Sequence, residues 1–127
     1  MVEGKLRERR KHKRVPVARP ATAVCGARMG EVVDASMSGM AILHQGPAAR
    51  PGETTEVSLH YGAHSLRLPV EVVWDRPLEA SGTARPGQRR CGLVFRRLGR
   101  RERFWLEHFL WSQTDGWPEI PIPDDLV

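Results

Sequence analysis

Between residues 15 and 97, apolar side chains recur at every second position in short runs that Gly and Pro interrupt. A period of two broken in this way predicts the strands of an all-β barrel or sandwich. Val57, Leu59 and Tyr61 alternate within Thr54–Tyr61, and Tyr61-Gly62-Ala63-His64 has the make-up of a hairpin turn. The clearest alternation follows, placing Leu66, Leu68, Val70, Val72 and Trp74 on one face of a strand over 66–74. Pro69 in that run has no N–H for a ladder, so it is expected where the strand meets a sheet edge. Upstream, 21–27 and 30–34 read as one long strand, or as two divided near Met29-Gly30, and Gly39–His44 as a short one. Residues 77–88, rich in Pro, Gly, Ser and Thr, read as a long loop, and 90–96 as a strand with Cys91, Leu93 and Phe95 inward.

After Phe95 the period changes. Leu98, Trp105, Leu106, Phe109 and Leu110 fall near helical spacing, with Arg100, Arg101, Arg103 and Glu107 on the other side. Such a stripe must cover something, and the open end of a small barrel fits. Residues 116–123 carry proline at every second or third position, which predicts an extended, polyproline-like strip. Its apolar side chains are expected either to pack back on the domain or to dock a partner. The expected division is a flexible basic segment over 1–14, a barrel plus helix over 15–113, and a Pro-rich extended tail over 114–127.

A chain of 127 residues builds one hydrophobic core. It has no run of roughly 20 apolar residues to span a membrane, and no apolar stretch follows the basic residues before Arg14, as a signal peptide requires. Cys25 and Cys91 are the only cysteines, too few for a disulfide framework, so a cytoplasmic protein with both thiols reduced and buried is expected. The net charge of +5 is more informative once located. Residues 1–14 hold seven basic side chains against Glu3 and Glu8, while the other 113 hold 13 basic and 13 acidic groups. All the excess charge therefore sits on one short segment suited to an anionic partner: nucleic acid, a membrane surface or a small phosphorylated ligand.

Two clusters carry candidate chemistry. The first is Arg9-Arg10-Lys11-His12-Lys13-Arg14, and the second Asp34-Ala35-Ser36-Met37-Ser38-Gly39 at a strand-to-strand turn. Arginine offers a planar fork for phosphate oxygens or for guanine O6 and N7, and its flat face stacks on purines. A carboxylate accepts from the donors on the other guanine edge, and glycine lets the backbone turn sharply and approach a ligand closely. Taken alone, each cluster has a plainer reading. A basic run is usually solvated, and Asp-x-Ser-x-x-Gly is usually a turn in which Asp34 and Ser36 bond nearby amides and Gly39 takes positive φ. The histidines (His12, His44, His60, His64 and His108) lack a metal-ligand arrangement. No nucleophile elbow accompanies Asp34 and Ser36, so no catalytic residue is assigned and an enzyme is not expected. Trp74, Trp105 and Trp111 read as packing.

Arg9-Arg10-x-x-x-Arg14 followed by Asp34-x-Ser36-x-x-Gly39 resembles the two signature motifs of the PilZ domain. Arg14-Val15-Pro16-Val17, the Val-Val-Trp ending at Trp74, Cys91-Gly92-Leu93-Val94-Phe95 and the helix entered through Arg100-Arg101-Glu102-Arg103 are also similar to that family, over about 7–110. The resemblance implies a six- to seven-stranded antiparallel barrel with a C-terminal helix and, as ligand, cyclic di-GMP bridging the two motifs, with no cofactor. It implies that Arg10 and Arg14 hold guanine and phosphate, and that Arg9 stacks on a base. Asp34 and Ser36 would hold the second guanine edge and a neighbouring amide or phosphate, with Gly39 allowing close approach. The implied function is a receptor that changes conformation on binding and signals through a protein partner to control motility, exopolysaccharide or secretion. The rivals are a nucleotide-independent interaction module of the same fold and a nucleic-acid-binding barrel with a basic arm. The neutral body counts against the second rival.

Overall fold

Seven strands and one helix are described, within residues 14–78 and 86–114 of a computed structural model. The strands are β1 (Val15–Pro16), β2 (Ala21–Cys25), β3 (Arg28–Ala35), β4 (Gly39–His44), β5 (Thr54–Tyr61), β6 (His64–Pro77) and β7 (Arg89–Phe95), and the helix is α1 (Arg100–Ser112). Every pairing is antiparallel. Strands β3, β2, β5, β6, β7 and β4 follow one another round the sheet, and β4 pairs back onto β3 to close a six-stranded barrel. On its other edge β3 is covered by β2 over 28–31, and then by β1, which pairs Val15 with Ala35 and Pro16 with Asp34. The chain arriving through Arg14 thus enters as a seventh strand, along the stretch of β3 that β2 leaves open.

The alternation places the core as expected. Val57, Leu59, Tyr61, Leu66, Leu68, Val70 and Val72 are all buried, as are both free thiols. Burial pushes the Cys25 thiol up, and burial with the Asp75 carboxylate beside it pushes Cys91 up to about 12. Pro69 lies in an interior strand rather than at a sheet edge. Its carbonyl accepts the Arg96 N–H, so its nitrogen faces the same way, beyond the last β7 residue paired with β6, Phe95. There the missing donor costs only the last hydrogen bond of the β6–β7 ladder, at its end.

The division between the first two long strands also differs from expectation. It falls at Gly26-Ala27, where Gly26 takes φ +63°, and not at Met29-Gly30. Gly30 lies inside β3, where a Cβ would stand 1.7 Å from the Leu43 carbonyl oxygen. That glycine marks a close crossing of two strands, a spacing that periodicity alone does not reveal.

Helix α1 starts at Gly99, whose N–H donates to Glu102 Oε1 at 2.6 Å and whose carbonyl takes the Arg103 N–H at 3.0 Å. Leu106, Phe109 and Leu110 enter the barrel core and close its end. Each such side chain contributes about 1.5–3 kcal/mol by burial. Beyond the helix end, Gln113 Oε1 accepts the N–H groups of Ala18 (2.9 Å) and Arg19 (2.7 Å), while the Arg19 guanidinium bonds the Ser112 carbonyl. Among the described residues no helix is long and apolar enough to cross a membrane. The basic segment up to residue 13 and the tail from 115 lie outside the described residues.

Candidate functional site

One row of residues crosses the outside of the barrel: Asp34 on β3, Ala41 on β4, Gly92 on β7 and Trp74 on β6, each paired with the next. Two small residues sit between two large ones, so the row forms a trough with Ala41 and Gly92 as its floor. Both large residues face outward because of a register shift beside them. On β3 the ladder slips between Val32 and Asp34, and on β6 between Val72 and Trp74. Each extra residue reverses the alternation that follows it. Val32 and Ala35 are buried with Asp34 outside, and Val72 and the Asp75 side chain are buried with Trp74 outside. The expectation that Trp74 shares the core face of Val72 is therefore corrected, since an unbroken period of two cannot anticipate a bulge. Trp74 is not core packing but one wall of the trough.

The cleft encloses about 290 Å³, with Arg14, Asp34, Trp74, Arg90 and Val94 among its walls. Arg14 Nε donates to Asp34 Oδ1 at 2.6 Å and its Nη2 pairs with the same oxygen. Arg90 Nη2 donates to Asp34 Oδ2 at 3.1 Å. The first arginine cluster and the second motif thus meet at a charge-assisted contact. Arg9 and Arg10, the other arginines expected in the site, lie outside the described residues. Opposite Asp34, the Trp74 indole lies over Gly92, and the Arg76 guanidinium carbon stands 4.5 Å from the ring centroid, in a cation–π position.

Ser36 and Gly39 are placed differently from Asp34. Ser36 is fully buried, and its Oγ accepts from the N–H groups of Ser38 (3.1 Å) and Gly39 (3.3 Å) while sharing a bond with Ser38 Oγ. Its N–H donates to the Gly39 carbonyl, so Ser36 shapes the turn from inside. Gly39 is not among the residues at positive φ, contrary to the plainer turn reading. A Cβ there would stand 2.3 Å from the Leu93 carbonyl oxygen, so the glycine is required by the close approach of β4 to β7. Sequence reasoning missed Arg90. Its only signal is its place two residues before Gly92, on the same face of β7.

The sequence profile of the PilZ domain matches residues 8–110. The chain belongs to the PilZ domain family. Solved structures agree on the fold. The PilZ domain of YcgR from Escherichia coli with c-di-GMP is 15% identical at a TM-score of 0.67, covering 83% of this chain and 91% of that one. YcgR in complex with c-di-GMP, from the same organism, is 14% identical at 0.63, covering 82% of this chain and 45% of that one. The Bacillus subtilis inhibitor of motility (MotI/DgrA) is 12% identical at 0.62, covering 82% and 50%. The chain thus spans about half the length of these two larger proteins. No curated protein sequence matches the chain significantly.

This PilZ domain also holds a second cluster, inside the barrel wall. His44, Asp75 and Cys91 bring potential ligand atoms within 4.8 Å of one another, a grouping not legible from residues so far apart in sequence. Its contacts are satisfied internally. His44 shares a 2.7 Å hydrogen bond with Asp75 Oδ2, and its Nδ1 accepts the Gly46 N–H at 3.1 Å, which leaves the ring proton on Nε2. Asp75 also accepts from the Ala49 N–H and from Arg89 Nε. A metal on Nε2 would need the ring proton on Nδ1, where the Gly46 N–H already points. The cluster is a structural knot joining β4, β6, β7 and the connection after β4. Burial alone would raise the Asp75 pKa, but its bonds to Arg89, Ala49 and His44 overcome this and hold it below the usual carboxylate range.

Proposed function

We propose that this chain is a cytoplasmic receptor for cyclic di-GMP, a binding module and not an enzyme, that passes its signal to a protein partner. The observation that carries this reading is the Arg14–Asp34 contact in a cleft walled by Trp74. A guanine needs acceptors for its N1–H and amino group and an apolar wall for its face, and its phosphates need guanidinium forks. Asp34, Trp74 and Arg14 supply these in one trough, and Arg9 and Arg10 lie a few residues upstream in the same chain. The two YcgR structures are complexes with c-di-GMP, which supports the ligand, and the inhibitor of motility supports motility as one process of the kind controlled.

In this reading Arg14 exchanges the Asp34 carboxylate for the ligand. The basic segment is neutralised by the phosphates and folds over the trough, and the altered surface is what a partner reads. The test is calorimetric titration of the full chain with cyclic di-GMP at physiological salt. Saturable binding is expected, at least tenfold weaker for Arg14→Ala, because a hydrogen bond to a charged group is worth about 1.5–3 kcal/mol. If the wild-type chain gives no binding, the receptor reading fails and the nucleotide-independent module replaces it.

A further inference from the structure

We propose that Arg90 is an additional ligand-binding arginine of this site, which releases Asp34 and takes a phosphate of the nucleotide when guanine occupies that carboxylate; the inference rests on the cyclic di-GMP reading above. Arg90 lines the same cleft as Arg14, and its side chain keeps 39% of its surface exposed while bonding Asp34 Oδ2. Asp34 therefore has one arginine on each oxygen. A guanine edge presenting two parallel donors to the carboxylate uses both oxygens, so its arrival competes with both guanidinium groups for Asp34.

A second observation shows where Arg90 turns. Arg90 lies directly opposite Arg76 across the β6–β7 ladder, and like charges so placed repel. The nearby carboxylates on these strands are engaged elsewhere, Asp75 with Arg89 and Glu71 with Arg96. Among the described residues, Arg14 and Arg90 share the carboxylate of Asp34 while Arg76 lies over the Trp74 ring, which leaves two positive charges in excess around Trp74. A cyclic dinucleotide brings two phosphate charges of the opposite sign. Its binding relieves the Arg76–Arg90 repulsion at the moment that Asp34 ceases to offset it. The released guanidinium has the planar fork that phosphate oxygens accept, which a lysine at 90 would lack.

The test is a double-mutant cycle on the full chain, titrated with cyclic di-GMP in a calorimeter and covering Arg90→Ala, Asp34→Asn and the pair. Arg90→Ala is expected to weaken binding about tenfold or more, and to keep most of that loss in the Asp34→Asn background. Arg90→Lys is expected to recover only part of it. Thermal melting of each variant confirms folding, and if Arg90→Ala fails to fold, Arg90→Gln takes its place in the cycle. Should Arg90→Ala bind as well as the wild type, or more tightly, Arg90 is only a latch on Asp34 and the proposal is overturned. A loss that vanishes in the Asp34→Asn background overturns it equally, since Arg90 then acts only by orienting Asp34. Failure of the wild type to bind removes the receptor reading and this inference with it, a result distinct from either of the other two.

Discussion

The Trp74 indole lies so close over Gly92 that a Cβ at residue 92 would stand 2.3 Å from Cε2 and 2.5 Å from Nε1. The absence of a side chain at 92 is therefore what allows Trp74 to form the wall of the trough. Gly92→Ala forces the ring away, and a rigid indole cannot yield as a flexible chain end does. The expected result is a domain that still folds, destabilised by about 1–3 kcal/mol through overpacking, with clearly weaker cyclic di-GMP binding. Calorimetry and thermal melting read the two effects separately. Unchanged affinity would remove Trp74 from the site.

A second prediction concerns acid. His108 is buried at the helix–barrel contact, with its Nδ1 3.1 Å from the Tyr61 hydroxyl and its ring near His64, Phe104 and Trp105. Burial first, and the His64 charge second, hold its pKa below the ordinary 6.5. The folded protein thus binds this proton less readily than the unfolded chain does. Stability is complete above about 6.5 and falls as the pH drops through that value toward the folded pKa. Asp75, held below its ordinary 3.8, adds its own loss only from about that pH downward. Melting curves from pH 7 to 5 should show a falling Tm, and His108→Gln, which cannot titrate, should flatten it. A slope that is the same in both proteins would assign the effect to other groups.

Much of this architecture was legible in the sequence, because burial on one face of a strand writes a period of two. Residues 57–61 and 66–72 followed that rule, and the helical stripe from Trp105 to Leu110 followed its own. The rule ends at Val33 and Val73, where one extra residue in a strand leaves no mark in composition and turns Asp34 and Trp74 outward. Asp34 was found because a two-motif resemblance does not depend on facing. Trp74 reads as packing because its periodicity puts it on the core face, and the Val-Val-Trp resemblance carries no information about facing. Arg90 and the His44–Asp75–Cys91 knot depend on pairings between strands far apart in sequence, which no local pattern encodes. For Ser36 the local reading was the informative one, since its hydroxyl closes the turn as Asp-x-Ser-x-x-Gly chemistry predicts.

The final prediction concerns the clamp where the helix ends. Gln113 is only 6% exposed, and its Oε1 accepts two backbone N–H groups, those of Ala18 and Arg19, from the connection between β1 and β2. Gln113→Ala leaves both donors in a partly buried place without their partner. Each such loss costs about 1–3 kcal/mol when water cannot replace it, and partial exposure keeps the total near ~2 kcal/mol. The Tm should then drop by roughly 5–10 °C. Gln113→Glu keeps an acceptor oxygen and places a negative charge beside Arg19, so most of the stability should return. Ala18 and Arg19 lie only four and five residues beyond Arg14, so the clamp also anchors the strand that delivers Arg14 to Asp34. Gln113→Ala is therefore expected to weaken cyclic di-GMP binding as well, at a temperature where the domain is still folded. If it melts with the wild type, the two hydrogen bonds contribute nothing. If it melts early but binds normally, the clamp supports the fold without positioning Arg14.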